Sequence, residues 1–279
     1  MIAISAFIVY NQGMIELTSK HFNYEYLNID SPSQEQFYKH LHNEYEILYF
    51  LNGDADYIIG ATVYHLKKND LLFIKPAMFH YLKPLSPATY ERHVIHFSEK
   101  AVPKEILPSL SSMHSIFTIK PDSTIDKIFS EITALLENSK NINEDAESIT
   151  NQIKYSLKLV LIYLKNLPKT AKEKPSSTNV ALSEILKFID KNPEMQINAE
   201  YLSKKFFVSS SWITHNFRKI LGISLKQYVN HKKILYAQKL ISKGTKPTKV
   251  AEICSFDNYS TFYRLYKKYT QNLPIKDKN

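Results

Sequence analysis

Two short stretches of this 279-residue chain hold side chains whose types and spacing suit chemistry. The first, HLHNEYEILYFLNG, places His40 and His42 two residues apart. Alternation along a strand sets both imidazoles on one face, which is what chelation requires. The second, ICSFDNYSTFYRLYKKYT, runs from Ile253 to Thr270. Phe262, Leu265, Tyr266 and Tyr269 recur there at helical spacing and form one apolar stripe. Asn258, Tyr259, Ser260, Tyr263 and Arg264 fall largely off that stripe, and Lys267 and Lys268 follow. An ordinary surface helix shows glutamates and lysines at such positions. This one shows side chains suited to gripping or reading a polar partner.

Composition narrows the partner. The chain is 44% hydrophobic and 23% charged, the profile of a globular protein of one or two domains. Its net charge of +9 is unevenly spread. From Lys169 onward there are 21 Lys and Arg against 8 Asp and Glu, a net of +13; residues 1–168 carry 15 against 19, a net of −4. Only the second half is expected to meet a polyanion. The single cysteine, Cys254, excludes an internal disulfide and a multi-cysteine zinc site; it reads as a buried free thiol in a reducing cytosol. No apolar run approaches the ~20 residues of a membrane span. MIAISAFIVYNQG lacks the basic start and cleavage site of a signal peptide, so residues 1–23 read as an N-terminal arm, partly disordered, with Met14 as an alternative start.

The elements that position the two stretches follow from periodicity. Residues 24–97 hold short β-type runs, EILYFLN, DYIIGATVYHL, DLLFIKP and ERHVIHF, punctuated by Gly53, Asn69-Asp70 and Pro84/Pro87. Such spacing predicts a sandwich or small barrel. From about 103 to 166 the pattern turns helical: Ile125, Ile128, Phe129, Ile132, Leu135 and Leu136 make one stripe, and Ile149, Ile153, Leu157, Val160, Leu161 and Leu164 a second. LPKTAKEKPSSTN, residues 167–179, has no apolar periodicity and reads as a linker. Everything after it is expected to be helical. Asn198, Ser209 and Ser224 are placed as caps, and Gly222 and Lys243-Gly244 as stops.

One pattern occurs twice. LSKKFFVSSSWITHNFRK and VAEICSFDNYSTFYRLYKK each offer a short helix, an apolar turn residue (Val208, Phe256) and a polar cap (Ser209, Asp257). Each then shows an apolar pair four apart, Ile213/Phe217 and Phe262/Tyr266, with one extra residue before the pair in the second copy. This is a helix-turn-helix written twice, a unit whose second helix enters the major groove of DNA. The helix between the copies, about 19 residues, spans ~28 Å, so two reading helices can reach successive groove segments ~34 Å apart.

Residues ~180–270 resemble the DNA-binding domain of the AraC/XylS family of transcription regulators. The resemblance rests on Leu202, Phe207-Val208-Ser209, Ile213, Phe217-Arg218-Lys219, Gly222, Ser224, Tyr228, Ile234, Ala237, Leu240, Val250-Ala251, Phe256, Phe262, Arg264 and Tyr266 to Tyr269. Three departures stand out: Ser255 and His215 replace a usual Gly and Arg, and the closing TQNLPIKDKN keeps only Pro274 of the family's end. The resemblance implies base contacts from Ser211, Trp212, Thr214 and His215 in the first reading helix. In the second it implies Asn258, Tyr259, Ser260, Tyr263 and Arg264. Arg264 would pair with guanine and Asn258 with adenine, while Trp212 either meets a thymine methyl or sits in the core. Phosphate contacts fall to Ser209, Arg218, Lys219, Lys267 and Lys268, whose plainer role is a solvated basic helix end.

In the first half, His40, His42, Glu46 and Gly53, with His80 after Pro76, resemble the cupin signatures, although Asp70 and Met78 replace glycines in the second of them. In cupins such a set holds a metal through imidazoles and a carboxylate. The sensory barrels of AraC-type regulators keep such histidines without one, so no metal or cofactor is expected here. His42, Glu46 and His80 are expected to face an effector pocket or brace the barrel, and His93 and His96 to be structural.

The sequence therefore predicts a two-domain protein. An arm (1–23) precedes a mainly-β, cupin-like effector-binding barrel (24–100) and accessory or dimerisation helices (101–166). A linker (167–179) leads to an all-α tandem helix-turn-helix domain (180–279). The expected function is a cytoplasmic, sequence-specific DNA-binding regulator, by analogy an activator, that answers to a small effector such as a sugar. Its expected partners are double-stranded DNA, a second copy of the chain through helix 145–166, and RNA polymerase. The alternatives are a metal-dependent cupin enzyme and a regulator with no small-molecule effector.

Overall fold

The computed structural model describes residues 6–37, 42–113, 115–139, 146–167, 177–270 and 272–274. The chain divides into two compact units, residues 1–59 with 63–176, and residues 60–62 with 177–279. Among the described residues no helix is long and apolar enough to cross a membrane. His40 and residues 168–176, most of the expected linker, lie outside the described residues.

The first unit is built on strands β1 (Ala6–Asn11), β2 (Met14–Ser19), β3 (Phe22–Ile29), β4 (Tyr45–Asn52), β5 (Ala55–Ile59), β6 (Thr62–His65), β7 (Asp70–Ile74), β8 (His80–Pro84) and β9 (Tyr90–Phe97). A short helix, α1 (Leu107–Leu110), strand β10 (Ile116–Thr118) and helices α2 (Thr124–Ser139) and α3 (Ala146–Asn166) follow. One sheet has the order β1-β2-β3-β9-β4-β7-β10; in a second, β6, β5 and β8 lie side by side. Two expectations change here. Residues 6–19, read as part of an arm, form a hairpin on the sheet edge, where β2 pairs with β3 and buries Ile15 and Leu17. Residues 116–118, read as helical, pair with β7.

Strand β4 explains the layering. Ile47 and Tyr49 share one cluster with Phe129, Ile132, Leu157 and Leu161, the inward stripes of α2 and α3. Leu48 and Phe50, of opposite parity, share the other cluster with Tyr57, Ile59 and Leu82 of the second sheet. Both faces of the strand are buried, so it reads EILYFL as a continuous apolar run rather than an alternating one. Each fully buried Leu, Ile or Phe contributes about 1.5–3 kcal/mol, enough to fix the register on both sides. Both predicted helical stripes face this core, with Leu135 only partly buried. The outer face of α3 exposes Tyr155, Leu159, Ile162 and Tyr163, spaced to form a second apolar stripe.

The second unit is helical: α4 (Val180–Lys191), α5 (Ala199–Phe206), α6 (Ser210–Asn216), α7 (Leu225–Ser242), α8 (Pro247–Ile253) and α9 (Tyr259–Thr270). Side chains of Asn179, Asn198, Ser209 and Ser224 accept hydrogen bonds from the first turns of α4, α5, α6 and α7. At Ser224 the bond is reciprocal, because Gln227 reaches back to the Ser224 backbone. The helix expected to run unbroken to Gly222 instead widens into a π-helical turn over Phe217–Leu221, closed by Gly222 at φ 72°.

Candidate functional site

The two helix-turn-helix units are built alike. The first comprises α5 and α6, joined through Phe207 in the left-handed region at φ 55°. The second comprises α8 and α9, joined through Ser255 at φ 51°. Serine thus adopts the conformation that glycine would take more cheaply. Lys233 supports it, donating from Nζ to the Ser255 carbonyl at 2.9 Å. Sequence reading placed the second cap at Asp257; the structure places it at Asn258, whose Oδ1 accepts from Thr261 N at 2.8 Å. From cap to first apolar residue the spacing is then the same in both copies, Ser209 to Ile213 and Asn258 to Phe262. The extra residue lies in the turn.

The apolar sides are fully committed. Leu202, Ile213, Phe217 and Leu221 are buried in the first unit, and Phe217 meets Tyr228 of α7 edge to face at 5.6 Å. Val250, Ala251, Phe262 and Tyr266 share a cluster with Ile234, Ala237 and Ile241 from the far half of α7. What remains faces outward. Ser211, Thr214, His215, Arg218 and Lys219 are exposed and, apart from the half-buried Trp212, form the expected first reading surface. With Ser210 they line an open groove of about 650 Å³. On α9, Asn258, Tyr259, Ser260, Tyr263, Arg264, Lys267 and Lys268 are exposed. Ser209 and Asn258 also serve as caps, so their side-chain oxygens are engaged within the protein.

The first unit gathers a different set. Glu46 is buried at the head of β4, and its Oε2 is approached by three imidazole nitrogens: His42 Nε2 at 3.1 Å, His80 Nε2 at 3.1 Å and His96 Nε2 at 3.0 Å. Tyr57 OH donates to Oε1 at 3.0 Å. Burial alone would push the Glu46 carboxyl up. The charge of His80 and the hydrogen bonds from His42, His80 and His96 outweigh burial and hold it well below the usual carboxylate range. Burial would likewise lower His80 and His96, but Glu46 raises both.

The expected trio of His42, Glu46 and His80 is therefore brought together. His96, read as structural, joins it because β9 pairs with β4 so that His96 lies opposite Glu46. Its signal was parity: Arg92, Val94 and His96 alternate onto the interior face, whereas His93 points to the helices. There His93 Nδ1 meets Tyr24 OH at 2.6 Å, and the ring packs on Tyr26, Tyr49 and Phe129.

Burial, reinforced by the nearby Arg92 charge, pushes His93 down to about 3 from an ordinary 6.5. The unfolded chain binds this proton before the folded one does, so His93 destabilises the fold as pH falls from 6.5 toward 3. Each such proton adds a slope of about 1.4 kcal/mol per pH unit. Urea unfolding of the full chain between pH 6.5 and 5 is expected to lose most of that slope in His93→Gln. Equal slopes in the two proteins would contradict a neutral, buried His93.

Residues 23–151 match the AraC-like ligand binding domain family, and residues 202–278 match a helix-turn-helix domain family. The uncharacterized HTH-type transcriptional regulator YdiP of Escherichia coli (strain K12) is 25% identical over 247 residues, 86% of this chain and 80% of that protein. The lactose operon transcription activator of Staphylococcus xylosus is 21% identical over 223 residues, 80% of this chain and 78% of that protein. Among solved structures, ToxT from Vibrio cholerae aligns with 91% of this chain and 97% of its own at 16% identity, with a TM-score of 0.37. The chain thus carries an AraC-like ligand binding domain ahead of a helix-turn-helix domain, and its relatives over four fifths of its length are transcription regulators.

Proposed function

We propose that this regulator is an activator that reads DNA with both of its helix-turn-helix units and answers to a sugar or sugar derivative. The observation that carries the DNA reading is the doubled unit, in which each apolar pair is buried and each polar face is exposed. Arg264 offers a fork of donors suited to guanine O6 and N7, while Arg218, Lys219, Lys267 and Lys268 lie where phosphates would supply affinity. Activation would follow from contact with RNA polymerase at the bound promoter, in the cytoplasm.

For the effector, the support is a cleft of about 760 Å³ lined in part by Asn52, Lys68, Glu91, Thr118, Asp126 and Ser130. Its size and mixed polar lining suit a small hydroxylated molecule. The sequence reading gave His42, Glu46 and His80 as facing an effector pocket or bracing the barrel; the bonds of His42, His80 and His96 to Glu46 Oε2 within 3.1 Å favour the bracing role. A relative in the family is a lactose operon transcription activator, which favours the sugar reading. Asp126 and Ser130 belong to α2, and Asp126 accepts from Tyr49 OH of β4 at 2.7 Å. An effector in the cleft would thus touch sheet and helix together, and any preference for one arrangement of the two would be transmitted as a shift in population.

The test is fluorescence-anisotropy titration of the full chain on DNA upstream of its own and neighbouring genes, with scrambled DNA alongside and a sugar panel added. Arg264→Ala is expected to cost about 1–3 kcal/mol on the preferred DNA and to relax the preference. Lys267→Ala should weaken binding to all sequences alike and reduce the salt slope by about one. At least one sugar should shift the binding curve. Equally weak binding everywhere, abolished by modest salt, would overturn the reading; specific binding unmoved by any sugar would remove only the effector.

The exposed stripe of α3, Tyr155, Leu159, Ile162 and Tyr163, we assign to a second copy of the chain. Sedimentation should show a dimer at micromolar concentration that Leu159→Lys dissociates. A wild-type monomer would withdraw the assignment.

A further inference from the structure

We propose that Asn179 and Asn216 are positioning residues for DNA reading: a chain of side-chain amides fixes the rotation of α6 about its own axis and so aims Ser211, Thr214 and His215. This deepens the reading of α6 as the first DNA-reading helix and rests on it. Asn216 lies on the buried side of α6, 9% exposed, and Asn179, the last residue of the expected linker, caps α4. Neither belongs to the reading surface expected from the sequence.

Counting donors and acceptors fixes the direction of every bond. Asn179 Oδ1 accepts from Leu182 N, in the first turn of α4, at 3.0 Å. Its Nδ2 is left to donate, and meets Asn216 Oδ1 at 3.3 Å. Asn216 in turn donates from Nδ2 to the Trp212 carbonyl at 2.8 Å. A carbonyl only accepts, so turning either amide over would set donor against donor and acceptor against acceptor. One arrangement satisfies all three bonds. The chain therefore runs one way, from the start of α4 to the middle of α6.

Apolar packing alone does not supply this. The burial of Ile213, Phe217 and Leu221 holds the helix down, but the hydrophobic effect is non-directional and leaves slight rotation cheap. A reading surface has to be held within roughly 0.5 Å and 10–20° of its productive geometry. Asn216 and Trp212 stand one helical turn apart, so a bond that fixes Asn216 fixes the turn that carries Thr214 and His215. A buried amide costs desolvation, and its best-attested use between helices is to select one geometry over its neighbours.

The second unit supplies the contrast. With Ile213 matched to Phe262 and Phe217 to Tyr266, Asn216 falls opposite Leu265, which packs on the apolar cluster beneath α9. The same place is polar in one copy and apolar in the other. The exposed faces differ in a related way. At matching positions α6 offers Ser211, Thr214 and His215, where α9 offers Ser260, Tyr263 and Arg264. Long side chains reach a base by adjusting their own rotamers, whereas short ones depend on where the helix puts them. The amide chain is found on the helix that needs it.

The experiment uses the full chain with Asn179→Ser and Asn216→Leu, singly and together, in anisotropy titration and hydroxyl-radical footprinting on the preferred DNA. Serine still caps a helix, as Ser209 and Ser224 do, but is too short to reach Asn216. Leucine keeps the volume of Asn216 and copies Leu265. Each single variant is expected to keep the thermal midpoint and the binding to scrambled DNA. Each should weaken binding to the preferred DNA about fivefold, the worth of one neutral hydrogen bond. In the footprint, protection should fade over the segment that Arg264→Ala leaves intact and persist over the other. The double variant should cost no more than either single one, since each breaks the same chain. Single variants that bind and protect like wild type would overturn the role. So would losses that add in the double variant, or an equal fading of both segments with a lower thermal midpoint. Wild-type protein with no preferred DNA would overturn the DNA reading itself and this role with it, so the two failures are told apart.

Discussion

The DNA-reading half depends on one constraint, the burial of α7 along its whole length. Its first turns pack Tyr228 against Phe217, and its later turns carry Ile234, Ala237 and Ile241 into the second cluster. Between them, two lysines are buried as well. Lys232 pairs with Asp190 at 2.6 Å, and Lys233 holds the Ser255 carbonyl. A buried lysine is costly unless paired, so these bonds tie α7 to α4 on one side and to the α8–α9 turn on the other. The 18 residues of α7 then act as a rod of ~27 Å between α6 and α9, the two proposed reading helices.

A parallel constraint organises the first unit. Because β4 is covered on both faces, every residue on it is assigned to the helix side or the interior, and alternation leaves no third choice. Glu46 falls to the interior, where an ionised carboxylate survives only with donors or a cation beside it. Tyr49 falls to the helix side, where its hydroxyl reaches Asp126. One strand therefore touches both the histidine cluster and the helix that borders the proposed effector cleft.

How much of this was legible in the sequence follows from how local each signal is. The stripes of α2 and α3, the caps at Asn198, Ser209 and Ser224, and the αL stop at Gly222 are written within a few neighbouring residues, and all appear in the structure. The duplication was legible for the same reason. Ser209 and Asn258 differ from Asp257 only in which oxygen reaches the amide three residues on, so that cap was misplaced by one position. The misses are non-local. The β1–β2 hairpin is held by pairing with β3, and β10 by pairing with β7, neither of which is announced by periodicity in six or three residues. Alternation in ERHVIHF puts His93 and His96 on opposite faces, but which of them meets Glu46 follows only from the β4–β9 register. The exposed residues of the candidate interface were legible as exposed because the apolar residues of α6 and α9 left them no other side.

In the proposed function one chain reads DNA at two places, set apart by α7. Hydroxyl-radical footprinting of the full chain on its preferred DNA tests this most directly. Two protected segments about one helical turn apart on one face of the duplex are predicted, with Arg264→Ala erasing only one of them. A single protected segment, unaltered by that substitution, would contradict the claim and leave α9 as part of the scaffold.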